Sequence, residues 1–180
     1  MRSTDNLQLN NPQAFGQFYE AAHLAVFRYI YALHGGPRQE VEDLTAETFI
    51  KAWKARRRFK GSQKAALSWV MLIARRLVID SFRRQKVRGY QIDIEANELL
   101  SLDPLPEEHT AQQEQITILM NLLSTLPVEK RELLILRYVL GWRVKDIGTH
   151  LGLQENTASV QIKRTLQKLR QDWPVGAHED

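Results

Sequence analysis

Apolar residues recur at three- and four-residue steps along most of the chain, and the breaks fall at glycine, proline or dense charge, which predicts helices with short connections. The first run opens at Pro12, a residue suited to a helix start, and aligns Phe15, Phe18, Tyr19, Ala22, Val26, Phe27 and Ile30 on one face. Gly35-Gly36-Pro37 ends it. A second helix over 40–56 turns Val41, Thr45, Thr48, Phe49, Ala52 and Ala55 inward and leaves Asp43, Glu47, Ile50 and Lys54 outside. A third, from about Ala65 to Arg84, buries Leu67, Val70, Met71, Ala74, Leu77, Val78 and Phe82. The pattern dissolves after Gly89 and resumes near Ala111, with Ile116, Leu119, Met120 and Leu123 inward. It pauses at Ser124-Thr125-Leu126-Pro127 and continues through Leu133, Leu134 and Leu136 to Gly141.

The last stretch, 143–173, carries the most information. A short helix over 144–151 points Ile147 and Leu151 inward, Gly152-Leu153 supplies a turn, and a second helix runs from Gln154 to about Leu169. Ala158, Ile162, Thr165, Leu166 and Leu169 share its apolar face; Asn156, Ser159, Val160, Lys163, Arg164 and Gln167 lie opposite. A polar and cationic outer face behind a glycine turn describes a helix-turn-helix, whose second helix enters the major groove of DNA. An ordinary helical hairpin shares the apolar spacing and would leave the same cations merely solvated. The fold class expected is all-α: two small helical domains, the C-terminal one with a helix-turn-helix.

Charge divides the chain. Residues 1–92 hold 16 Lys/Arg against 7 Asp/Glu, residues 93–115 hold 7 acidic residues and no basic one, and residues 116–180 hold 9 against 7, within a net +4. The acidic strip contains Pro104 and Pro106 and buries little, so it is expected to be a flexible linker. The domains are therefore placed at 12–90 and 114–173, joined by 91–113. Two basic blocks separated by a segment that avoids phosphate point to two nucleic-acid-facing modules. The chain has no cysteine, which excludes disulfides and thiolate zinc sites, and its five histidines are too scattered for a metal motif. No run approaches the ~20 apolar residues of a membrane span and no signal pattern opens the chain, so a cytoplasmic protein without membrane insertion, metal or cofactor is expected.

Candidate contact residues follow from what the helices leave outside. Asp43 and Glu47 are like charges four apart, which costs an isolated helix about 0.2–0.5 kcal/mol; with Ile50 exposed beside them, they fit a protein partner carrying basic groups. Trp53 lies at the edge of that face. The break Arg56-Arg57-Arg58-Phe59-Lys60-Gly61-Ser62-Gln63-Lys64 reads as a basic loop with one aromatic, the composition of a single-strand contact. On the third helix Trp69, Arg76 and Arg83 stand seven apart on the outer side with Asp80, flanked by Arg75 and Arg84, offering stacking and phosphate neutralisation. Packing of Trp69 on the first helix is the competing expectation, and Asp80 has a ready ion-pair role beside Arg76 and Arg84.

Taken in order, these pieces resemble the extracytoplasmic-function class of bacterial RNA polymerase sigma factors over about residues 12–173. The resemblance rests on Glu42–Trp53, on Ser68-Trp69 with Ile73–Arg84, and on Leu126-Pro127, Arg131, Leu136-Arg137-Tyr138, Asp146-Ile147, Leu151-Gly152, Thr157, Arg164 and Leu169. It implies partners in core RNA polymerase and in promoter DNA, both double- and single-stranded, and an anti-sigma protein. It assigns Asp43, Leu44, Glu47 and Phe49, with Ile50 and Trp53, to polymerase docking, although periodicity turns Phe49 inward. By the same resemblance Phe59 to Lys64 form a loop for an extruded minus-10 base, backed by Trp69, Arg75, Arg76, Asp80, Arg83 and Arg84. The minus-35 reader would comprise Asn156, Thr157, Ser159, Val160, Lys163, Arg164 and Lys168, with Arg143 and Lys145 ahead of the turn. Ala46, Arg76, Gln161 and the Asn156-Thr157-Ala158 opening depart from the family pattern, which leaves the promoter sequence open.

Two rivals carry different expectations. A dimeric helix-turn-helix regulator of duplex DNA explains 143–170 and leaves the 40–84 block without a role. A hydrolase built on Asp80 or His150 lacks a nucleophile and base at workable spacing.

Overall fold

The computed structural model describes residues 9–88 and 110–174 of the 180-residue chain. Residues 89–109, which hold most of the acidic strip (93–115) and of the expected linker (91–113), lie outside the described residues. Two compact units emerge, one built on the helices before the strip and one on those after it.

The first unit is three mutually packed helices, α1 (Pro12–His34), α2 (Arg38–Ala55) and α3 (Gln63–Arg88), with a 3-10 turn at Arg56–Arg58. Asn11 starts α1: its Oδ1 accepts the Gln13 amide at 2.9 Å, satisfying one of the orphan donors of the first turn, and Pro12 follows where no amide is needed. Val26, Val41, Val70, Met71 and Val78 are fully buried between the helices, each contributing about 1.5–3 kcal/mol. The core contains two threonines, Thr45 and Thr48, whose hydroxyls donate to Val41 O and Leu44 O at 2.7 Å, so the polar atom is satisfied within α2 itself.

Helix α3 begins at Gln63, two residues before the periodicity does. Ser62 is the cause: its Oγ accepts the Ala65 amide at 3.3 Å and its carbonyl accepts the Ala66 amide at 2.9 Å, the geometry of a helix N-cap. Gln63 and Lys64 therefore belong to a first helical turn and not to the loop in which the sequence reading put them.

The second unit comprises α4 (Thr110–Thr125), α5 (Val128–Leu134), a π-helical segment (Ile135–Val139), α6 (Val144–Leu151) and α7 (Glu155–Asp172). Helix α4 starts inside the stretch read as linker. Arg131 ties α4 to α5: its Nη2 donates to Ser124 O at 2.9 Å and Leu126 O at 3.3 Å, carbonyls at the end of α4 that have no helical partner. Burial lowers the pKa of this guanidinium from its ordinary value by desolvation. In the π segment, Leu140 N donates to Ile135 O and Trp142 N to Leu136 O, wider spacings than an α-helix allows. Arg137 Nη1 then holds Trp142 O at 2.9 Å, fixing the approach to α6.

Gly152 ends α6 in the left-handed region at φ +68°, where a side chain would be strained, and α7 leaves at once. Gly148 has a different task. Leu153 N donates to Gly148 O at 2.8 Å, and a Cβ on Gly148 would stand 2.8 Å from Leu153 O. The turn closes onto α6 through the space a side chain would occupy. Ile147, Ala158, Ile162, Thr165 and Leu169 form the buried seam of the pair.

Candidate nucleic-acid interface

On α2 the expected partner face divides into two. Asp43 and Ile50 are exposed, Glu47 is half-buried, and Asp43, Leu44 and Glu47 line a shallow groove of about 400 Å³ against Ser81, Arg84 and Gln85 of α3. Glu47 pairs with Lys51 at 3.3 Å, and Glu40 accepts from Gln85 at 3.1 Å across the groove. Leu44 is 5% exposed, so it offers the groove only an edge. Phe49 points the other way, to α1: its ring sits 4.7 Å from Tyr19, 6.5 Å from Phe18 and 6.0 Å from His23. That placement follows the inward position which periodicity gave. Trp53 shares this flank, edge-on to Phe15 at 5.1 Å and capped by the Arg56 guanidinium 3.4 Å above its ring.

The loop and α3 form the second surface. Phe59 does not project; its ring lies 5.1 Å from that of Trp69, tilted by 33°. Gly61 sits beneath, and a Cβ there would be 3.0 Å from Ala65 Cβ and 3.1 Å from Phe59 Cζ, so the glycine makes room for the ring to fold back. Trp69 is thus half-buried with the Phe59 ring against it, and not a bare platform. Lys60, Ser62, Gln63 and Lys64 are exposed around this pair, as are Arg76, Arg83 and Arg84 along the helix, while Arg75 is half-buried. Asp80 pairs with Arg83 at 3.4 Å, one turn on, rather than with Arg76 or Arg84. With both partners exposed, the pair contributes little to stability.

The third surface is the outer face of α7. Asn156, Thr157, Ser159, Val160, Lys163, Arg164 and Lys168 are all exposed there, and Arg143 and Lys145 are exposed at the start of α6. Val160, 47% exposed, is an apolar group among polar ones in the middle of that face. Sequence reasoning missed Lys130 of α5, whose Nζ donates to Gln161 Oε1 at 2.9 Å and thereby adds a cation to the flank of α7. No periodicity within one helix signals a contact made from another. Among the described residues no group of three or more His, Asp or Glu is placed to hold a metal, and no helix is long and apolar enough to cross a membrane.

Comparison with known families matches these units one by one. Residues 18–88 match the profile of Sigma-70 region 2, and residues 116–169 match Sigma-70, region 4. Relatives align along nearly the whole chain: the extracytoplasmic-function (ECF) RNA polymerase sigma factor BldN of Streptomyces coelicolor is 28% identical over 178 residues, 96% of this chain and 66% of that protein. The chain belongs to the sigma-70 family, among the ECF sigma factors.

Other ECF relatives agree, such as SigX of Bacillus subtilis, 24% identical over 88% of this chain and 82% of its own length. Among solved structures, this sigma factor shares its fold with RpoE of Bartonella quintana, crystallised with the anti-sigma factor NepR. The TM-score is 0.68 at 21% identity, over 88% of this chain and 96% of that one. CnrH, solved in complex with the cytosolic domain of CnrY, scores 0.64 at 21% identity over 89% and 87%. The region 2 match ends where α3 ends, and the region 4 match takes in most of α4, α5, α6 and α7 as far as Leu169.

Proposed function

We propose that this sigma factor works through the three surfaces in succession: α2 docks on core RNA polymerase, α7 reads the minus-35 element as duplex, and the Phe59 loop with α3 holds the minus-10 element once it has opened. The observation that carries the reading is the exposed polar and cationic face of α7 behind the Gly148–Gly152 turn, the arrangement by which a helix reaches base edges in a major groove. Phosphate contacts from Arg143, Lys145 and Lys168 position the duplex, and the outward residues Asn156, Val160 and Lys163 meet bases. Val160 supplies the apolar contact that a thymine methyl group takes.

Opening needs no chemistry from the protein. Unstacking a base costs a few kcal/mol, and a pocket that binds the unpaired base offsets that cost. Phe59, Lys60 and Ser62–Lys64 surround the place where such a base would leave the stack, with Arg76, Arg83 and Arg84 along the path of the backbone. Asp43, Glu47 and Ile50 present the acidic and apolar groups that a basic polymerase surface would meet. The protein acts with polymerase in the cytoplasm without an enzymatic step of its own, and an anti-sigma protein that covers these surfaces would hold it inactive.

Run-off transcription with bacterial core polymerase on a library of random upstream DNA tests the whole scheme. Start sites that depend on the protein and share two spaced elements are expected. No stimulation together with no binding to core polymerase would refute it and favour a dimeric regulator of duplex DNA.

A further inference from the structure

The contact between Lys130 and Gln161 joins α5 to the flank of the reading helix, and both side chains are half-buried. With Ala158, Ile162, Thr165 and Leu169 buried, the helical repeat places Thr157, Gln161, Arg164 and Lys168 along a single flank of α7. Thr157, Arg164 and Lys168 are exposed on it. An ammonium carries three N–H donors and no acceptor, so Gln161 must turn its amide oxygen to Lys130 whichever way the carboxamide would otherwise lie. Two donors on Gln161 Nε2 remain to face outward, and Lys130 keeps its charge and two further donors.

Beyond Thr157, whose hydroxyl can do either, the row Lys130, Gln161, Arg164, Lys168 presents donors outward. Adenine requires a donor and an acceptor together, and the Gln161 oxygen is directed at Lys130 instead of outward. Phosphate oxygens and the guanine O6/N7 edge both accept only. The position separates them: Asn156, Val160 and Lys163 occupy the middle of the outer face that lies on the bases, whereas this row runs along its edge, where a helix in the groove meets a strand of the backbone. We infer that Lys130 and Gln161 act as one unit that grips a phosphate of the minus-35 element, with Lys130 the cation and Gln161 a donor oriented by it. The inference rests on the reading of α7 as the DNA-facing helix.

The test uses the full chain in complex with core polymerase and promoters recovered from the run-off library, with binding measured from 50 to 200 mM salt. Lys130→Gln should weaken promoter binding several-fold, equally for promoters altered at any base of the upstream element, and flatten the slope of log K against log salt by about 0.9, the value of one released phosphate counterion. Lys130→Arg should restore both. Gln161→Leu should weaken binding while leaving the slope unchanged, because it removes donors but no charge. Arg164→Ala serves as the reference. If Arg164→Ala weakens binding and Lys130→Gln leaves the slope intact, the pair is a structural tie alone and the inference falls. A loss that depends on one base would overturn the phosphate assignment in favour of base reading. If Arg164→Ala has no effect either, the assignment of α7 to DNA fails first.

Discussion

Replacing Gly148 with alanine sets two known effects against each other. In an ordinary helix the change stabilises by about 0.5–1 kcal/mol, because glycine loses more backbone freedom on folding. Here the new Cβ would lie 2.8 Å from Leu153 O, with Glu155 N at 3.5 Å and Glu155 Cα at 3.6 Å behind it. Carbon–oxygen contacts settle at about 3.3–3.6 Å, so the shortfall is about 0.5–0.8 Å. The obstacle is backbone in a turn already pinned by the Leu153 N to Gly148 O hydrogen bond, so no side chain can swing aside. Overpacking of this kind costs about 1–3 kcal/mol, which exceeds the propensity gain. The net expectation is a loss of about 1–2 kcal/mol and, for a unit of this size, a fall in Tm of about 4–15 °C. Thermal unfolding of the full chain followed by circular dichroism measures it, and promoter binding by the polymerase complex reports the displaced α7. Gly16 provides the opposite case, since a Cβ there meets nothing within 4 Å and Gly16→Ala should raise stability. A Gly148→Ala protein as stable as the parent, with unchanged promoter binding, would refute the close-approach argument.

Four further expectations follow from the geometry. Arg131→Met should destabilise the second unit by about 1–3 kcal/mol in urea unfolding, because Ser124 O and Leu126 O lose a buried donor; an unchanged midpoint would show that water replaces it. Ser62→Ala removes the N-cap of α3 and should cost about 1 kcal/mol, whereas Ser62→Asp should retain most of it. Phe59→Ala should uncover Trp69, seen as stronger quenching of tryptophan fluorescence by acrylamide, and no increase would contradict the closed stack. Arg164→Ala should weaken upstream-element binding, and unaltered affinity would remove it from the DNA-facing side of α7.

The helices were legible because their signal is local. Periodicity over Phe15 to Ile30, or over Ala158 to Leu169, is imposed by burial of one face and can be read along a single segment. The turn at Gly152 was legible for the same reason. What escaped was contact across segments. Phe59 folding back over Gly61 onto Trp69 unites a loop residue with a helix residue that look like independent contacts in the sequence. Gly148 reads as a weak helix position until the turn beyond it is seen to lie against its Cα. Phe49 shows the two kinds of reasoning apart: the resemblance gave it to a partner, and periodicity gave it to the core where it is found at 5% exposure. The cap at Ser62 was available in principle, since serine directly ahead of a helix is a start signal, but the run of charge around it read as loop.

The π segment at Ile135–Val139 makes the second unit sensitive to chain length in a way its composition does not reveal. A π turn is equivalent to one residue added to an α-helix, so it changes the angular phase of everything downstream by about 100° per residue inserted. Deleting a residue there would yield a more regular helix and a worse protein, with Arg137 rotated off Trp142 O and α6 launched in another direction. Substitutions within the segment leave that count intact. Across homologous chains this stretch should admit neither insertion nor deletion, with side-chain variation confined to its exposed positions, Tyr138 and Val139.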